Sequence, residues 1–120
     1  MAFLGTCTNG RLEDLAVAAR SLKGRKVRPG TTLVISPASR EVTLEACARG
    51  YLPALLESGG IINAPGCGPC VGALGGIPGD GVNVIFTANR NFRRVLPSRR
   101  TTGPVAPTSL KPSPLNLLNP

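Results

Sequence analysis

Thr31-Thr32-Leu33-Val34-Ile35-Ser36 is a β-branched, apolar run of strand length, closed by Pro37 and set between two stretches of helical character. Short apolar runs bounded by turn signals read as buried strands. Upstream, Leu12, Leu15, Ala16, Ala19 and Leu22 recur at helical spacing and form one apolar stripe. Thr8 or Asn9 is the expected cap of that helix, with Glu13 and Asp14 in its first turns, where carboxylates favour the positive end of the dipole. Gly24 ends the helix, Pro29-Gly30 makes a turn, and Ala2–Gly5 before it reads as a first strand. Downstream, Ser39 is placed to cap a second helix over Arg40–Arg49, stopped by Gly50. A shorter helical piece, Leu52–Glu57, ends at Gly59-Gly60; Ile61–Asn63 and Val82–Thr87 read as two further strands. Strands alternating with helices predict an α/β layered domain with a mostly parallel sheet flanked by helices.

The texture changes beyond Phe92. Six of the twelve prolines fall in the last 24 residues, among Ser and Thr and without any period. Proline removes a backbone donor and blocks helix continuation, so an irregular C-terminal tail is expected over 93–120. The folded unit is then residues 1–92, a single domain with a core of Leu, Ile, Val and Ala, since only Phe3, Tyr51, Phe86 and Phe92 are aromatic.

Charge divides along the same line. Residues 1–89 carry a net +2, whereas residues 90–120 carry six cations and no acid. Binders of single-stranded nucleic acid interleave cations with stacking aromatics; this tail has none after Phe92, so a solvated basic tail is expected and nucleic acid is not the expected partner. No apolar run reaches the roughly 18–20 residues of a membrane span, and no export leader opens the sequence, so the cytoplasm is the expected compartment.

The chemistry lies in the cysteines. There are four, Cys7, Cys47, Cys67 and Cys70, and no histidine, which excludes Ser–His–Asp triads, Cys–His dyads and every histidine-containing metal site. Cys7 sits in Gly5-Thr6-Cys7-Thr8-Asn9-Gly10-Arg11; Cys67 and Cys70 sit in Pro65-Gly66-Cys67-Gly68-Pro69-Cys70. All three follow a predicted strand and precede a predicted helix. In a parallel sheet such turns share one edge, where ligands bind and helix N-termini point. Cys47 falls within the second helix and is expected as a small buried thiol.

Three chemistries compete. Cys67-Gly68-Pro69-Cys70 is identical to the redox tetrapeptide of thioredoxins, but those proteins place it early in the chain and directly behind a tryptophan, and no tryptophan is present. A structural zinc would use two close cysteine pairs, and Cys7 and Cys47 are each isolated. Three cysteines without a fourth ligand suit a [4Fe–4S] cluster with one open iron, since electron-transfer clusters fill all four positions. An open iron is a Lewis acid.

Three stretches together resemble the aconitase superfamily, in its isopropylmalate dehydratase and homoaconitase branch. Gly5-Thr6-Cys7-Thr8-Asn9-Gly10-Arg11 is similar to the first cluster motif, Cys67-Gly68-Pro69-Cys70-Val71-Gly72 to the second, and Thr87-Ala88-Asn89-Arg90-Asn91-Phe92 to the segment that faces cluster and substrate. The resemblance spans residues 2–92. It implies a dehydration and rehydration of a hydroxy-polycarboxylate substrate at a [4Fe–4S] cluster held by Cys7, Cys67 and Cys70. Asn89 would hydrogen-bond near the cluster, and the planar fork of Arg90 would pair with a substrate carboxylate. The same resemblance implies partners: a small, swivelling subunit, and N-terminal domains of a longer large subunit. The sequence departs from the family after Phe92, where Arg94 and Val95 replace a Gly-Arg pair whose arginine touches substrate. A shifted reading frame or a replaced terminus would produce that change.

Overall fold

β1 (Ala2–Gly5) and β2 (Leu33–Ser36) form the middle of a four-stranded sheet in the order β3-β2-β1-β4, with β3 at Ile61–Ile62 and β4 at Ile85–Phe86. The computed structural model describes residues 1–67, 75, 78 and 82–87. All three pairings are parallel, with Phe3 opposite Val34 on one side and Phe86 on the other, and Val34 opposite Ile61. The α/β class is as the sequence predicts. The division at residue 92 and the tail lie outside the described residues.

Helices α1 (Leu12–Leu22), α2 (Arg40–Ala48) and α3 (Tyr51–Glu57) join β1 to β2 and β2 to β3. Both crossovers step the same way across the sheet, and crossovers between parallel strands are right-handed, so the helices share one face. There Leu15 and Ala19 of α1, Ala46 of α2, and Leu52 and Leu55 of α3 pack with Ala2, Leu4, Leu33 and Ile35. Leu15, Ile35 and Leu55 are fully buried, and removing each from water contributes about 1.5–3 kcal/mol. The other face carries a smaller cluster of Phe3, Val34 and Phe86, with the two rings stacked at 5.3 Å.

Three local expectations are corrected. Neither Thr8 nor Asn9 caps α1; Arg11 is the N-cap, and the Asp14 carboxylate accepts from the Arg11 N–H at 3.1 Å. The reason is that residues 6–10 close a turn of their own, Gly10 N–H donating to Thr6 C=O at 2.9 Å. Cys47 is exposed rather than buried. On a helix of nine residues Ala46 takes the inward position, at 0% exposure, and its neighbour is carried about 100° round the axis. β4 is shorter than Val82–Thr87 because pairing with β1 begins at Ala2, opposite Ile85. Ser39 does cap α2, accepting from Val42 N–H at 3.2 Å.

Candidate functional site

Running from β1 through β2 to β3, the chain moves steadily to one side; β4 then pairs on the far side of β1. The strand order therefore reverses between β1 and β4, and in open α/β sheets ligands bind beyond the carboxyl ends of the strands at such a reversal. Cys7 follows β1 by two residues and Thr87 directly follows β4, so both stand at this crevice.

The turn that carries Cys7 is held by backbone from several directions. Thr6 N–H donates to Ser36 C=O at 3.2 Å, and Ala38 N–H donates to Gly10 C=O at 2.9 Å, so the turn is fastened to the end of β2. Gly5 and Thr6 both have positive φ, 118° and 102°. For a β-branched residue such as Thr6 this conformation costs of order 1–3 kcal/mol, a strain that surrounding structure must offset. Thr6 is 2% exposed and Cys7 beside it is exposed, so the strained backbone turns the thiol outward while its neighbour fills the interior.

Cys67 reaches the same place from the other end of the sheet. Asn63 N–H donates to Ile35 C=O at 2.8 Å, extending the β2–β3 ladder, and the chain then passes through Pro65 and Gly66. Gly66 has φ 138° with nothing within 4 Å of where a Cβ would stand. The result is a contact across 60 residues: the Cys67 thiol lies 3.8 Å from Cys7 Sγ. This is far beyond the ~2.05 Å of a disulfide, so the two sulfurs touch without being bonded to each other. Among the described residues no group of three His, Cys, Asp or Glu side chains assembles around a common point. Cys70, Asn89 and Arg90 lie outside the described residues.

The donor set is soft. Two exposed thiols converge, no histidine exists in the chain, and thiolates of this kind suit iron–sulfur clusters and other thiophilic metals.

A family model described as Aconitase family (aconitate hydratase) matches residues 1–107. The chain belongs to the aconitase family. It is 56% identical over 91 residues to a 3-isopropylmalate dehydratase large subunit 2 of Archaeoglobus fulgidus, covering 76% of this chain and 22% of that protein. It is 54% identical over 91 residues to a 3-isopropylmalate dehydratase large subunit of Elusimicrobium minutum, with the same coverage. It is 53% identical over 91 residues to a homoaconitase large subunit of Thermus thermophilus, again covering 76% and 22%. The chain thus spans about a fifth of the length of the curated relatives it matches. No helix among the described residues is long and apolar enough to cross a membrane.

Cys7 and Cys67 are the two sequence-predicted site residues that the fold brings together. Asn9, Thr87, Gly10 and the Ser36 carbonyl also build the site; the sequence offers Asn9 only as a helix cap and the other three for no role. Asn9 and Thr87 stood inside quoted motifs, and an asparagine two residues past a turn cysteine is a hydrogen-bonding signal, but its partner 78 residues away left no trace in local pattern.

Proposed function

We propose that this chain is the cluster-binding part of a hydro-lyase that isomerises a hydroxy-polycarboxylate by dehydration and rehydration. The 3-isopropylmalate dehydratase large subunit of leucine biosynthesis is the type it fits best. One observation carries the reading: in a member of the aconitase family, Cys7 and Cys67 meet at 3.8 Å beyond the carboxyl edge of a parallel sheet. Cys7, Cys67 and Cys70 would hold a [4Fe–4S] cluster, which when bound supplies an iron Lewis acid for the substrate hydroxyl. Arg90 would pair its guanidinium fork with a substrate carboxylate, and Asn89 would donate a hydrogen bond beside the thiolates.

Coverage of about a fifth of the relatives supports a reading in which other parts complete the site. These are further domains of a large subunit and a small swivelling subunit. The exposed thiols of Cys7 and Cys47 suit a reducing compartment, in keeping with the cytoplasm. A dithiol oxidoreductase acting through Cys67 and Cys70 has no use for Cys7, and the Cys7–Cys67 contact favours the cluster over it.

Anaerobic incubation with ferrous iron and sulfide, followed by absorption and electron paramagnetic resonance spectroscopy, tests this. An oxygen-sensitive [4Fe–4S] signal is expected from the wild-type chain. Cys7→Ser, Cys67→Ser and Cys70→Ser should each abolish it, and Cys47→Ser should leave it intact. Loss with Cys47→Ser together with retention in Cys7→Ser refutes the assignment.

A further inference from the structure

Thr87 is bound to the Cys7 turn in an unusual way. The β1–β4 ladder begins regularly, with Ile85 N–H donating to Met1 C=O at 2.9 Å and Thr87 N–H to Phe3 C=O at 3.1 Å. In a parallel ladder the next rung would join Gly5 N–H to Thr87 C=O. Instead Gly5 N–H donates to Thr87 Oγ1 at 2.9 Å. The Thr87 carbonyl is thereby released, and Asn9 Nδ2 donates to it. Gly5 and Asn9 stand two residues on either side of Cys7, so the two bonds straddle the thiol. Both are part-buried and span 82 and 78 residues.

We infer that Asn9 and Thr87 are positioning residues that lock the Cys7 turn onto the end of β4. The lock fixes the Cys7 thiol relative to the chain that continues into Ala88-Asn89-Arg90. It rests on the reading of Cys7 as a cluster ligand, and it adds a coupling to that reading: the turn that holds the metal and the strand that leads to the substrate contacts are one hydrogen-bonded unit. Pairing of β1 with β4 does not require this exchange. An ordinary rung would use Gly5 alone and leave Asn9 free to face solvent. Substituting a threonine hydroxyl for the carbonyl enlists a second anchor beyond Cys7, which adds a hold from β4 to the bonds that already fasten the turn to the end of β2.

The test uses the full 120-residue chain, loaded anaerobically with iron and sulfide and then challenged with a chelator. Asn9→Asp keeps the size of the side chain and removes its donor. Thr87→Val keeps the shape and removes the hydroxyl, while Thr87→Ser restores it. Loss of cluster absorption is expected to be about tenfold faster in Asn9→Asp and in Thr87→Val. Thr87→Ser should lie close to wild type, and so should Leu55→Val, which weakens the core behind the helices without touching the turn. Wild-type rates in both Asn9→Asp and Thr87→Val overturn the proposal and leave the cluster reading standing. An equal acceleration in Leu55→Val also overturns it, because the effect is then general stability. If the wild-type chain takes up no cluster, the cluster reading fails and the lock is judged in the metal-free protein. There, iodoacetamide should modify Cys7 several-fold faster in Asn9→Asp and Thr87→Val than in wild type or Thr87→Ser, and equal rates overturn it.

Discussion

A Cβ placed on Gly5 would lie 2.0 Å from the carbonyl oxygen of Ser36. The ends of β1 and β2 therefore meet through bare backbone, and Gly10 closes on the same oxygen, with 2.3 Å for its own Cβ. Since both neighbours are backbone, neither can move aside as a flexible side chain would. Gly5→Ala adds the cost of φ 118° to this overlap and is expected to lower stability by about 3 kcal/mol or more. Gly24, at φ 72° with open space around it, is the control: Gly24→Ala should cost only about 1–2 kcal/mol. Denaturant unfolding of the two variants checks the difference.

Asn63 binds in two directions at once. Its N–H continues the sheet to Ile35, and its Nδ2 donates to Gly75 C=O at 2.7 Å, across the twelve-residue interval that contains Cys67 and Cys70. A Cβ at Gly75 would lie 2.6 Å from Asn63 Oδ1, so a side chain there would have to push the Asn63 amide out of this bond. Asn63→Ala should lower stability by about 1 kcal/mol, and Asn63→Asp should lower it further by setting a carboxylate against a carbonyl. Urea midpoints of the three proteins give the order.

The exposure of Cys47 makes a simple expectation. Its thiol should react with a maleimide in the native protein, and Cys47→Ser should change stability by no more than about 0.5 kcal/mol. Mass spectrometry of the labelled chain and a thermal melt of the variant measure both.

Acid should act at the start of α2. A hydrogen bond from Ser39 holds the Glu41 carboxyl below its ordinary value. A carboxylate with a depressed folded pKa contributes stability above its unfolded pKa of about 4.3, and that contribution is lost as pH falls through the folded value. Glu41→Gln should therefore flatten the fall in thermal midpoint below about pH 4, relative to wild type. Parallel melts across that range test the sign.

The alternation of strands and helices was legible because its signals are local. The Leu12–Leu22 stripe, the Ser39 cap and the Thr31–Ser36 run each act over a few residues, and each produced its element to within two residues. The Cys7–Cys67 meeting was legible one step further out, because parallel strands force strand-to-helix turns to a common edge. What the sequence hid was long-range and backbone-borne. No local pattern tells that β4 sits beside β1 rather than β3, that the Ser36 carbonyl excludes a Cβ at two positions, or that Asn9 spends its amide on Thr87 instead of on the helix behind it. The expectation of a buried Cys47 failed for a different reason: a short helix with one buried residue has too narrow an inner face to hide two neighbours.

The placement of β4 beside β1 also sets an order of events during synthesis. Gly5 and Asn9 are made before β4, so their bonds to Thr87 must wait for a residue more than seventy positions later. At about 5–20 residues per second that wait is roughly 4–16 s. Once β2 is made, the nascent Cys7 turn has that strand for company but still no β4, and a metal ion or oxidant arriving then meets a thiol fastened on one side only. On the proposed reading of Cys7 as a cluster ligand, loading belongs after translation has passed Thr87, and a ribosome stalled short of it leaves an exposed cysteine with half its cradle.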